Sequence, residues 1–291
     1  MSRQSLPGGA RLSGASGGGS PTEPSPATFE ALRDLLRART GIALSPQKVP
    51  MVQARLNKRL RALGLEGYDA YLSLLRRQPE GEEWTRFVNA MTTNLTSFFR
   101  EAHHFEQLVR HLQAHPPGEE GIRVWSAGCS TGEEPYTLAM TLLQAFPQQR
   151  IQILATDLDS DVLDRGRTGI YPLDRLEGVS PAWRAFAFLR GRDRMGGQAR
   201  IRPEIQRLVA FRRLNLLQDP WPPADSFEAI FCRNTMIYFE KPVQHRLVAR
   251  FRVCLVPGGL FVVGHSEALL GTGLGFQSLG GTVYRRPEVD Q

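Results

Sequence analysis

From Thr28 to about Leu75 apolar residues recur every three or four positions. Phe29, Leu32, Leu35 and Leu36 predict one helix, with Thr28 as its N-cap and Gly41 as its stop. Met51, Val52, Leu56, Leu60 and Leu63 predict a second, ended by Gly64. Tyr68, Tyr71, Leu72 and Leu75 predict a third, and Trp84, Phe87, Val88 and Met91 a fourth. No strand alternation precedes residue 120, so this part reads as a small all-α domain over 27–93. Ahead of it, residues 1–26 are rich in glycine and proline and poor in apolar side chains. Such a stretch does not bury enough surface to offset its ordering entropy, and a disordered tail is expected.

From Ile122 the pattern changes. Short apolar runs at 122–125, 151–155, 208–212, 227–231, 259–264 and 282–285 read as strands. Helical spacing lies between them, through Tyr136, Leu138, Leu142 and Leu143, over 160–165 and over 242–254. Strands alternating with helices predict a parallel, doubly wound sheet over 94–291. Residues 186–203 interrupt it. There Gly191, Gly196 and Gly197 separate two basic extended pieces, which reads as an inserted β-hairpin.

Composition narrows the class. Hydrophobic residues make up 41% of the 291, enough for a core. No apolar run is long enough to span a membrane, so no membrane insertion is expected. The Gly/Ser-rich start does not read as a secretory leader. Cys129, Cys232 and Cys254 contain no CxxC pair, which argues against a disulfide framework or a metal site and for a reducing, cytoplasmic setting. A net charge of +7 favours anionic partners. Much of it is local: residues 48–77 hold Lys48, Arg55, Lys58, Arg59, Arg61, Arg76 and Arg77 against Glu66 and Asp69. Two readings stand, a solvated helix face or a docking face for an acidic partner.

Three segments carry candidate chemistry. Ser126-Ala-Gly-Cys-Ser-Thr-Gly-Glu-Glu-Pro135 follows a strand and opens a helix. Gly128 and Gly132 allow a tight turn and close approach to a ligand. Two acids in the first helical turn repel a pyrophosphate and suit an ammonium, and no Gly-Lys-Ser/Thr ending is present. A plain strand-to-helix turn with dipole-complementing acids is the alternative. Asp157, about 25 residues after the glycines at the end of the next strand, is placed to hold ribose hydroxyls or to cap a helix. Together the two segments favour S-adenosylmethionine over NAD. Gly128-Cys-Ser130-Thr-Gly132 also matches a hydrolase nucleophile elbow, with Asp219 and His265 following in order, but the helical chain upstream lacks the strands that fold needs. The third segment, Cys232-Arg-Asn-Thr-Met-Ile-Tyr238-Phe, lacks the Asn/Asp-Pro-Pro-Tyr of amino-methylating enzymes. That argues against a nucleic-acid base methyltransferase and against a nucleic-acid partner.

At these residues the chain resembles the CheR family of chemotaxis receptor glutamate O-methyltransferases. The resemblance spans roughly 28–287 and rests on Arg55-Leu-Asn-Lys-Arg-Leu-Arg61, Thr92-Thr-Asn-Leu-Thr-Ser-Phe-Phe-Arg-Glu101, the glycine segment through Tyr136, Ala155-Thr-Asp-Leu-Asp159, Gly169-Ile-Tyr171, Leu214-Asn-Leu216, Phe231-Cys-Arg-Asn-Thr-Met-Ile-Tyr-Phe239 and Gly264-His-Ser-Glu267. It implies a Rossmann-like S-adenosylmethionine methyltransferase domain with an inserted antiparallel β-subdomain, preceded by the all-α domain. It implies that Asn94, Thr96 and Arg100 line the cofactor pocket, that Glu134 rather than Glu133 meets the methionine ammonium, and that Asp157 binds the ribose. Asn215, Leu216, Arg233 and Asn234 would flank the adenosine and methionine portions. Arg100 and Tyr238 would sit nearest the transferred methyl, although a salt bridge fastening the two domains is the other reading of Arg100. Arg55, Lys58, Arg59 and Arg61 would dock on the acidic methylation helices of the receptor, and the inserted hairpin is a candidate grip for a receptor tail peptide. The products would be glutamate methyl esters and S-adenosylhomocysteine, and a monomer is expected. Gly128 and Cys129 stand where relatives often carry alanine, a side chain expected to fit. A cofactor-binding module without turnover remains the competing reading, which intact Arg100 and Tyr238 argue against.

Overall fold

The computed structural model describes residues 23–44, 46–268 and 274–288. Of the tail expected over 1–26, residues 1–22 lie outside the described residues. Helix α1 spans Pro26–Thr40. Its N-cap is Ser25, not Thr28: the Ser25 hydroxyl accepts from the Thr28 amide at 3.1 Å. Thr28 lies inside the first turn and donates to Asp69 at 2.5 Å instead. A serine followed by proline satisfies the start better, because proline at the first turn needs no donor partner. Gly41 closes the helix in the left-handed region at φ +72°. Helices α2 (Val49–Leu63), α3 (Tyr68–Arg77) and α4 (Glu82–Met91) follow as the spacing predicts. Leu36, Leu56, Leu60, Tyr71, Leu75 and Phe87 are almost wholly buried between them. Each contributes about 2 kcal/mol of burial.

Helix α5, His103–Ala114, is absent from the expectations above. Next come β1 (Ile122–Ala127), α6 (Glu133–Ala145), β2 (Ile151–Asp157) and α7 (Ser160–Thr168). After β3 (Ile170–Pro172), α8 (Pro181–Ala187), β4 (Phe188–Arg190), β5 (Gln198–Ile201) and α9 (Pro203–Gln206), the main sheet resumes. It continues with β6 (Val209–Arg213), β7 (Phe227–Cys232), α10 (Lys241–Cys254), β8 (Leu255–Val263), β9 (Gln277–Gly280) and β10 (Val283–Arg285). The order in the main sheet is β6-β2-β1-β7-β8-β10-β9. Strands β6, β2, β1, β7 and β8 are parallel neighbours, and β10 pairs antiparallel with β8 and β9. The inserted hairpin is β4–β5, and β3 adds a third antiparallel strand to it. The fold is therefore a doubly wound α/β domain carrying a small antiparallel sheet, preceded by an all-α domain. Strand order reverses between β1 and β7, and ligands of such sheets bind outside the carboxyl ends of the strands at that switch point. Among the described residues no helix is long and apolar enough to cross a membrane.

Candidate active site at the switch point

The glycine loop leaves β1 at Ala127. Gly128 sits at φ +85°, and a Cβ there would lie 2.0 Å from Thr235 Oγ1. Alanine, expected to fit, does not: the position needs glycine for its dihedral and for the approach of the β7 loop. Gly132, at φ +97°, leads into α6.

Around this loop opens a pocket with about 1070 Å³ of empty space, continuous with solvent. Asn94, Thr96, Arg100, Glu134 and Asp157 line it. So do Asn215, Leu216, Arg233, Asn234 and Tyr238. Residues separated by up to 144 positions thus share one cavity. Leu158, Leu214 and Leu216 supply an apolar wall, and two carboxylates the polar end points.

Glu134 enters from the first turn of α6, with its side chain 13% exposed. Ser126 Oγ donates to its Oε1 at 2.7 Å and Arg233 Nη1 to its Oε2 at 3.2 Å. Burial raises its pKa, opposed by the Arg233 charge. A carboxylate held this way gains from a cation in the pocket. Its neighbour Glu133 turns the other way, fully buried and paired with Arg175 at 2.8 Å. Asp157 accepts the Ser130 amide at 2.8 Å and the Asp159 amide at 3.0 Å. Burial pushes its pKa up to about 6, despite those donors. Helix capping falls to Asp159, whose Oδ1 accepts from the Asp161 and Val162 amides. Its Oδ2 accepts Thr92 Oγ1 at 2.6 Å and Asn94 Nδ2 at 2.8 Å. The Asn94 side-chain nitrogen is thus occupied by Asp159 and, at 3.2 Å, by Thr92 Oγ1, where the helical domain ends.

Arg233, only 2% exposed, is the hub of the β1–β7 side. It reaches Glu101 at 3.3 Å and donates to the Arg100 carbonyl as well as to Glu134. Arg100 donates to the Leu95 carbonyl at 2.9 Å. Among the described residues it makes no ion pair, and no salt bridge from it fastens the two domains there. The Tyr238 hydroxyl makes one long bond, 3.5 Å to the Thr93 carbonyl. Burial raises its pKa, which keeps it a donor at neutral pH. The Asn215 side chain is committed, donating to the Arg39 carbonyl at 2.8 Å and accepting the Leu217 amide at 3.0 Å. Asn234 occupies the left-handed region at φ +56°. Its amide is held by Glu267 Oε2 at 2.6 Å, which also accepts Gly264 N at 2.8 Å, while Oε1 accepts Ile237 N at 3.1 Å. Glu267 anchors the loop bearing Arg233, Asn234 and Tyr238, a role the sequence reading missed. Its place in Gly264-His-Ser-Glu267 was the available signal.

The four basic residues of α2 lie outside the pocket and divide in two. Arg59 forms a forked pair with Glu83, at 2.9 and 2.6 Å, which Tyr71 joins at 2.8 Å. Arg55 donates to the carbonyls of Ala90 and Thr92 at 3.1 and 2.5 Å, holding the end of α4. Lys58 and Arg61 are exposed. The hydrolase arrangement is not assembled. Ser130 Oγ donates to the Asn94 carbonyl, Asp219 pairs with Arg250, and the His265 ring stacks on His103.

A doubly wound sheet with a glycine loop, two partly buried acids and an apolar slot at its switch point fits a cationic, hydroxyl-bearing nucleoside. The class so defined is an S-adenosylmethionine-dependent methyltransferase. The chain belongs to the CheR methyltransferase family: the family's all-alpha domain matches residues 27–92 and its SAM binding domain residues 94–285. It is 46% identical over 262 residues to chemotaxis protein methyltransferase 2 of Pseudomonas aeruginosa, covering 88% of this chain and 91% of that one. It is 43% identical over 262 residues to the chemotaxis protein methyltransferase of Escherichia coli, covering 89% and 91%. S-adenosylmethionine is the cofactor, and the activity is methylation in chemotaxis. Among the described residues no three His, Cys, Asp or Glu side chains gather as a metal site.

Proposed function

We propose that the chain transfers the methyl group to glutamate side chains of chemotaxis receptors in the cytoplasm, giving methyl esters. The observation that carries this reading is Arg100, a pocket-lining guanidinium with no acidic partner among the described residues, beside the half-free hydroxyl of Tyr238. An arginine so placed suits an anionic substrate better than an amine or a base ring.

When bound, S-adenosylmethionine supplies a sulfonium-activated methyl group. Glu134 would take the ammonium and Asp157 the ribose hydroxyls, fixing the cofactor's long axis. Arg100 would orient the incoming carboxylate and Tyr238 donate to one of its oxygens. A glutamate is already ionised at neutral pH, so no side chain is needed as a general base. The chain's contribution is alignment and exclusion of water. Lys58 and Arg61 would meet acidic residues of the receptor helix, with Arg55 and Arg59 holding α2 in place for that contact. Mass mapping of receptor fragments after reaction tests the reading: the added methyl is expected on glutamate, and a methyl on lysine or arginine contradicts it.

A further inference from the structure

The inserted sheet touches the glycine loop from behind, on the side away from the pocket. Tyr171 of β3 is buried, and its hydroxyl donates to the Thr131 carbonyl at 2.7 Å. Arg175, in the short turn Leu173–Leu176 after β3, reaches Glu133 Oε1 at 2.8 Å. The other oxygen of Glu133 accepts the Thr131 hydroxyl at 2.6 Å. A Cβ on Gly132 would lie 2.9 Å from Tyr171 Oη. Thr131 and Glu133, which flank Gly132 at the junction of the loop with α6, are therefore held by β3 and the turn after it. Glu133 has no exposure, and Arg175 is its one cationic partner among the described residues. A buried carboxylate that loses its cation is costly to keep in place, so the loop would move. The next residue along, Glu134, and the preceding Ser130 face the pocket.

We propose that the inserted sheet is part of the cofactor site, with Tyr171 and Arg175 as positioning residues. Neither lines the pocket. They hold Thr131 and Glu133, and through them the carboxylate of Glu134 and the Ser130 amide that fixes Asp157. Precise binding groups need this kind of support behind them. The proposal rests on the cofactor assignment and not on the identity of the substrate.

Calorimetric binding of S-adenosylhomocysteine to the full chain tests it. Arg175→Ala is expected to raise the Kd about tenfold and Tyr171→Phe about threefold, as loss of a charged and a neutral hydrogen bond would. At saturating cofactor, kcat should stay near the wild-type value in both. Adding Glu133→Gln to Arg175→Ala should restore most of the affinity, because the amide still accepts from Thr131 and carries no charge. If Arg175→Ala does not fold, Tyr171→Phe, which removes one oxygen atom, still decides. Wild-type affinity in both single variants would overturn the proposal, even if their melting temperatures fell. Absence of binding by the wild type would instead overturn the cofactor assignment.

Discussion

Tyr238 and Asp157 answer different questions about the same pocket. Among the described residues the Tyr238 hydroxyl makes a single bond, of 3.5 Å, so removing it should cost little before substrate arrives. Tyr238→Phe is expected to lower kcat about tenfold while leaving the Kd for S-adenosylhomocysteine unchanged, the loss of one hydrogen bond made in the transition state. Unchanged turnover would remove Tyr238 from the reaction. Asp157, with its pKa raised to about 6, should govern binding instead. Ribose hydroxyls donate to the ionised form, so affinity for S-adenosylhomocysteine should fall as pH drops through about 6. Asp157→Asn should bind more weakly with that step absent from its pH profile. A raised folded-state value also means that Asp157 favours the folded chain below about pH 4, its unfolded value, and that this contribution is lost as pH rises through about 6. Gly128→Ala should destabilise the chain by about 2 kcal/mol or more and weaken cofactor binding, since the new methyl meets Thr235 at 2.0 Å on a positive-φ backbone. A thermal melt matching the wild type would contradict that.

At the scale of elements, helix α2 is where sequence and structure part. The run Arg55 to Arg61 shows as uniformly basic in the sequence, because charge is local and readable. Its division is not, since the partners Glu83, Ala90 and Thr92 lie 24 to 37 residues away. Arg59→Ala should therefore lower stability by about 2 kcal/mol by stranding the mostly buried Glu83. Lys58→Ala and Arg61→Ala should change stability by less than about 0.5 kcal/mol while raising the KM for receptor. Equal losses of stability in all three would erase the distinction. The long amphipathic helices and the buried parallel strands were legible because their periods are strong. Helix α5 was not: no side chain caps its start, and Phe99 and Glu101 just before it take positive φ, so no start signal precedes it. Strands β3 and β9 were missed because one is three residues long and the other wholly exposed. Motifs named the residues that share the pocket; of the anchors behind it, Glu267 and Asp159 end quoted motifs but their bonds to backbone amides do not show in spacing, and Arg175 lies in no motif.

For the whole molecule, the two domains meet at the cavity, and Asn94, Thr92 and Asp159 join them beside it. The net charge of +7 and the exposed cations on α2 should make receptor association depend on ionic strength. The product should be a carboxyl ester. Radiolabelled methyl from S-adenosylmethionine, transferred to a receptor's cytoplasmic fragment and then treated with mild alkali, tests it most directly. The expected result is label released as volatile methanol. Label that stays on the protein through alkali would mean an N-methyl product and would rule out transfer to a carboxylate.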